Sequence, residues 1–205
     1  MVSWMGWSYE LRPANIDETP REGELPDQYT LRLAKEKARE SIAGAEPGVF
    51  VLAADTTVAD EQGLLGKPAD AQDAVAMLRR LRGRTHRVVT ALAIVDPSSG
   101  RQLAEVCTAK VPMRTYSDLE IDLYVRSGDP LDKAGAYAIQ HAGFHPVEHF
   151  RGCFACVMGL PLCHLERTLR SLGEKSPVDV PRTCQVNLDY DCPVFEQIMR
   201  GEEPD

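Results

Sequence analysis

The run HRVVTALAIVD, residues 86–96, constrains this chain most. β-Branched and aliphatic residues follow one another with almost no polar break, which suits a strand covered on both faces. It is predicted to lie in the middle of a sheet. The turn at Pro97–Gly100 then leads into RQLAEVCTAKVPM (101–113), read as its hairpin partner. A second apolar strand, Val49–Ala54, runs directly into Asp55, Thr56 and Thr57. A glycine-containing loop and Lys67, next to Pro68, follow. A tight turn alone needs no apolar approach, whereas an active site built on a sheet edge does.

Helix signals flank these strands. From Asp27 to Ile42 the residues Leu31, Ala34, Ala38 and Ile42 form one stripe, with Gly44 as a stop. Asp70 is read as the cap of a helix burying Ala74, Leu78 and Leu81, ended by Gly83. Ser117 with Glu120 is a capping-box pattern that opens a short helix with Leu123 and Tyr124, stopping at Gly128. Pro161 begins another, with Leu162, Leu165, Leu169 and Leu172 on one side and Gly173 behind. WSYEL (7–11), GAYAIQ (135–140) and PVEHF (146–150) are predicted as short strands. Residues 174–205 read as a proline-rich acidic tail with one turn of helix at Phe195–Met199, outside a single domain spanning 1–173.

Charge and cysteine usage limit the partners. The 205 residues carry a formal net charge of −8, which argues against a nucleic-acid polymer held by phosphate neutralisation. A pocket can still oppose the global sign for a small polyanion. No apolar run approaches the ~18 residues of a membrane span, and the start has no basic leader region. The expected location is the cytoplasm, with no membrane partner. Cys107, Cys153, Cys156, Cys163, Cys184 and Cys192 are spread thinly, as free thiols in a reducing compartment would be. Zinc on Cys153, Cys156, Cys184 and Cys192 is the rival reading, although only the first pair is compact.

Among groups that do chemistry, Asp55 leads. A carboxylate at a strand end either closes a turn or stands ready to bind a divalent metal or take a proton from water. Lys67 is a flexible cation beside a rigid proline and suits an oxyanion. Helix periodicity does not say whether Lys35 or Lys37 turns inward. Asp17 and Glu18 lie in a polar loop. Arg84 and His86, just ahead of the central strand, are candidates for phosphate contact. Asp132 and Lys133 precede the small residues Gly135 and Ala136, which let a ligand approach the backbone. Gln140 carries both a carbonyl and an amide, the equipment for reading a base edge.

IDET, LAKEKA, AADTTV, GKP, AVAMLRRLRGRTHRVVTALAI, YVRSGDPLDKAGAYAIQ and GCFACVMGLPLCHL, in that order, closely resemble the Maf-like nucleoside triphosphate pyrophosphatases. The resemblance covers Trp4 to about Leu172. It implies an elongated, two-lobed α/β fold with a mixed twisted sheet, often dimeric. It further implies hydrolysis of a nucleoside triphosphate to the monophosphate and pyrophosphate with a divalent cation, Mg or Mn. By position, Asp55 would be the proton acceptor, with Glu18, Asp55 and Asp132 holding the metal. Lys37, Lys67 and, more remotely, Arg84 would contact phosphates. Thr56 and Gln140 fall where the dTTP/UTP-directed branch reads its pyrimidine.

Two departures accompany the resemblance. The family's opening strand, ASxSPRR-like loop and helix have no counterpart ahead of MGWSYEL, and Cys156 stands where the family usually has Asn. The first implies either an upstream start or a catalytically impaired member that binds nucleotide.

Overall fold

The computed structural model describes every residue except 47, 203 and 205. Helix α1 (Pro26–Glu40) starts with proline in its first turn, where the missing N–H costs nothing, and Gln28 accepts the Leu25 N–H at 3.2 Å. Ala34 and Ala38 meet the sheet with Leu31 and Ile42 beside them, as the stripe predicts.

Strand β1 (Val51–Asp60) and β2 (Gly63–Leu65) form a hairpin, and β3 (Thr85–Val95) and β4 (Gln102–Pro112) form another. Between the two hairpins, α2 (Ala71–Leu81) is capped by the Asp70 carboxylate, which accepts the Asp73 N–H at 2.9 Å. The sheet runs β2-β1-β3-β4, so the 86–96 run is interior as expected. Every pairing is antiparallel, not mixed. Both hairpins reverse the chain, and α2 returns it so that β3 opposes β1.

The first strand differs from its sequence reading. It does not stop at Ala54 but continues to Asp60, pairing Asp55 with Ala91, Thr56 with Thr90 and Ala59 with Arg87. Polar side chains do not end a strand whose backbone groups remain paired. Asp55 therefore sits mid-strand. Because β2 pairs only with Val58–Asp60, residues 51–57 have a strand neighbour on one side alone among the described residues. That open edge leaves Val51–Thr56 half-buried.

Successive β3 side chains alternate between faces. Ala91, Ala93 and Val95 pack on α1. Val88, Leu92 and Ile94 face the other way, into two apolar clusters that give the molecule its two lobes. One lobe packs α2 and α3 (Asp118–Arg126), whose Ser117–Glu120 capping box is formed, around Leu78, Ile121 and Tyr116. The other gathers Met5 with α4 (Phe154–Val157), α5 (Leu162–Arg170), α6 (Val180–Leu188) and α7 (Phe195–Arg200). The sequence pattern does not predict α6, whose Pro181 stands in its first turn.

The short strands predicted outside this sheet are absent from the described residues. WSYEL forms no regular element and pairs with no strand among the described residues, with Leu11 exposed. PVEHF contributes one bridge, Val147 to Met113. GAYAIQ begins as a tight 3-10 turn at Ala134–Ala136, with Gly135 and Ala136 both at positive φ, a conformation no strand admits.

Candidate active site

The open edge of β1 lines a cavity of about 730 Å³. Its walls come from α1, β1, the β2 exit at Gly66–Lys67, and the segments around residues 132–140 and 157–159. Two glycines make the walls fit. A Cβ on Gly135 (φ +70°) would stand 3.0 Å from Val58, and the Gly135 N–H donates to the Gly66 carbonyl at 3.0 Å, tying the lobe to the edge. A Cβ on Gly159 (φ +95°) would stand 3.2 Å from Thr56 Oγ1.

Alternation along β1 sends neighbouring residues to opposite faces. Asp55 points to the α1 side, where Lys37 Nζ donates to its Oδ1 at 2.6 Å. The same Nζ meets Glu18 Oε1 at 2.7 Å. Lys37, left open by periodicity, is thus the inward lysine, and its place on α1 clamps the 16–19 loop to the sheet. Tyr29, which no sequence motif marks, helps: its hydroxyl donates to the Glu18 carbonyl at 2.8 Å. Only the register of α1, one turn ahead of Leu33 and two ahead of Lys37, could have pointed to it.

Burial raises the Asp55 pKa from its ordinary value, with Glu18 adding to it, against the opposing pull of Lys37 and Lys67. Burial works against the Lys37 charge, yet its bonds to Asp55 and Glu18 leave its pKa raised overall. Both shifts favour the proton-holding form. A carboxylate pushed upward in this way is a better proton acceptor at neutral pH than an exposed one.

Thr56, Lys67, Asp132 and Gln140 line the same cavity. Lys133 is engaged by Asp132 at 2.7 Å and by the Asp129 carbonyl at 2.6 Å. Lys67 is exposed and has no hydrogen-bonded ion pair among the described residues, so its ammonium is available to a ligand. Glu18, Asp55 and Asp132 on one side and Lys37, Lys67 and Lys133 on the other balance in charge.

Other expected groups lie elsewhere. Arg84 is at the far end of β3, in the turn before Thr85, and does not line the cavity. His86 is buried, with Nε2 2.8 Å from the Tyr137 hydroxyl, and cannot reach a phosphate. Among the described residues no three His, Cys, Asp or Glu side chains gather as metal ligands. That removes the four-cysteine zinc reading: all six cysteines are free, and Cys156 Sγ donates to the Cys107 carbonyl at 3.2 Å. It also means that Glu18, Asp55 and Asp132 share the cavity without meeting at one point.

A cleft on a sheet edge with a buried carboxylate, a free lysine and balanced charge defines a site for a small polar ligand. The chain belongs to the Maf-like proteins, whose family profile matches residues 1–172. It is 45% identical over 183 residues, 88% of this chain and 92% of the relative, to a dTTP/UTP pyrophosphatase of Anaeromyxobacter dehalogenans. A dTTP/UTP pyrophosphatase of Myxococcus xanthus is 46% identical over 170 residues, 82% of this chain and 84% of its own. One from Geobacter metallireducens is 41% identical over 173 residues, covering 84% and 90%.

Proposed function

We propose that this chain hydrolyses dTTP and UTP to the monophosphate and pyrophosphate. The observation that carries the reading is Asp55: a buried carboxyl of raised pKa, held 2.6 Å from Lys37 at the mouth of a cavity that also presents Lys67. Asp55 takes a proton from the attacking water; its oxygen bonds to the α phosphorus, and pyrophosphate leaves with the α–β bridging oxygen. Lys67 holds phosphate oxygens, and Lys37 keeps Asp55 oriented between turnovers. Thr56 and Gln140 read the pyrimidine.

A balanced cavity holds a triphosphate only with added positive charge. The hard carboxylate oxygens of Glu18 and Asp55, which already share one cation in Lys37 Nζ, would hold a divalent ion, Mg or Mn, between them; Asp132 lines the same cavity without gathering with them. Such an ion neutralises phosphate charge and polarises the α phosphorus. A homodimer, which rests on the family resemblance, and a cytoplasmic location, which rests on the charge, leader and cysteine pattern of the sequence, complete the proposal.

Pyrophosphate release from UTP, dTTP, dGTP and 7-methyl-GTP, with Mg or Mn, tests it. Faster turnover of the two pyrimidines is the expected result. Equal or better turnover of the guanine nucleotides overturns the base assignment, and nucleotide binding without pyrophosphate release from any of them marks an impaired member.

A further inference from the structure

Thr56 faces the cavity from the side of β1 opposite Asp55, and its hydrogen-bond polarity is set by a residue behind it. Thr90, opposite it on β3, is fully buried. Thr90 Oγ1 donates to the Cys156 carbonyl at 2.7 Å. A carbonyl only accepts, so that bond uses the single proton of Thr90. The 2.9 Å contact between Thr56 Oγ1 and Thr90 Oγ1 then has one possible direction: Thr56 donates and Thr90 accepts. What remains of Thr56 toward the cavity is lone pairs.

We propose that Thr90 is a positioning residue for specificity, fixing Thr56 as an acceptor so that the site selects bases with a ring N–H. This rests on the reading of Thr56 as a base contact. Uracil and thymine present N3–H, which an acceptor satisfies. Cytosine presents an N3 lone pair, which faces a second lone pair and loses its bond to water without replacement. The relay thereby separates UTP from CTP, two substrates of the same size and charge. Thr90 lies in an apolar strand whose sequence gives no hint of the role; only its register opposite Thr56 does.

Thr90→Val keeps the shape and removes the hydroxyl. The Cys156 carbonyl still accepts the Gly159 N–H at 3.0 Å, so the loop keeps a partner. The Thr56 proton is then free to turn to the cavity and meet cytosine N3. Thr90→Ser restores the relay. Two ratios are measured for wild type, Thr90→Val and Thr90→Ser, each checked for folding by its melting curve. The first is kcat/KM for UTP over CTP, and the second is the affinity of UMP over CMP by titration calorimetry.

The wild type is expected to favour uracil by roughly 10²-fold, in the range that a buried unpaired polar group imposes. Thr90→Val should reduce that preference about tenfold or more, and Thr90→Ser should keep it within about twofold of wild type. A folded Thr90→Val with an unchanged UTP/CTP ratio overturns the relay and leaves the enzyme standing. Absence of hydrolysis, with a UMP preference that Thr90→Val erases, overturns the pyrophosphatase reading and leaves the relay. Failure of UMP to bind any of the three proteins overturns the relay.

Discussion

Two regions of the molecule bury ionisable groups beside different neighbours. At the cleft, Asp55 is nearly enclosed but is met by Lys37, which Glu18 also holds, and the group keeps a route to the cavity. In the core, among the described residues, His164 is wholly buried with neither ring nitrogen bonded, and His86 has one nitrogen on Tyr137 and the other unpaired. The core groups escape the cost of a buried charge by staying neutral: burial lowers both to a pKa of about 4. Burial pushes the cleft carboxyl the same way, toward its neutral form, but there Lys37 stands beside it and opposes the push. Pairing preserves reactivity where neutralisation removes it.

The sharpest way to break this contrast is Asp55→Asn. The amide is nearly isosteric, and loss of the proton acceptor should lower kcat for UTP by about 10²-fold or more. Stability should move the other way. The folded carboxyl holds its proton more tightly than the unfolded chain does, so its contribution is full at acid pH and is lost as pH rises through the raised pKa. Asp55→Asn should therefore melt higher than wild type at pH 7, with the gap closing toward pH 3. A variant that melts lower at pH 7 would mean that the Lys37 bond outweighs the burial cost.

The histidines give the opposite pH slope. Their folded pKa of about 4 lies below the ordinary 6.5, so the unfolded chain takes up protons first. Stability should fall as pH drops from about 6.5 through 4, by about 3 kcal/mol for each histidine. His164→Leu should remove about half of that loss, read from denaturant curves at pH 7 and 4.5. The effect is nil if His164 acquires a partner on protonation.

The smallest effect is expected at Lys67, which is exposed and carries no packing. Lys67→Met should raise KM for UTP about tenfold, near 1.4 kcal/mol, and leave the melting temperature within error. A change in kcat alone would place Lys67 on the transition state instead of the bound phosphates.

Much of this arrangement was legible in the sequence, and the failures have physical causes. The stripe of α1, the cap at Asp70, the box at Ser117 and the interior character of β3 are local or periodic signals, and each is formed. The end of β1 was misplaced because Asp55-Thr56-Thr57 resembles a turn, whereas pairing with β3 carries the strand on. Helix α6 has Pro181 in its first turn and exposes Val186, so its buried pair, Val180 and Cys184, made no stripe. The site residues were assembled by resemblance to a family. Arg84 and His86 fell away because proximity in sequence to β3 puts them at its far end or inside the core.

Ser176 donates its hydroxyl to the Met5 carbonyl at 2.6 Å, and the cluster that buries Met5 also draws on Val180, Cys184, Val194 and Ile198. Translation delivers the two sides of this contact at opposite times, with more than 170 residues between Met5 and the helix bearing Ile198. While the ribosome is still adding α6 and α7, the part of α5 that packs on them lacks its cover. Closure of that lobe therefore waits for α6 and α7 to be made, and a chain halted before residue 180 presents a sticky surface to chaperones and to its neighbours on the same message.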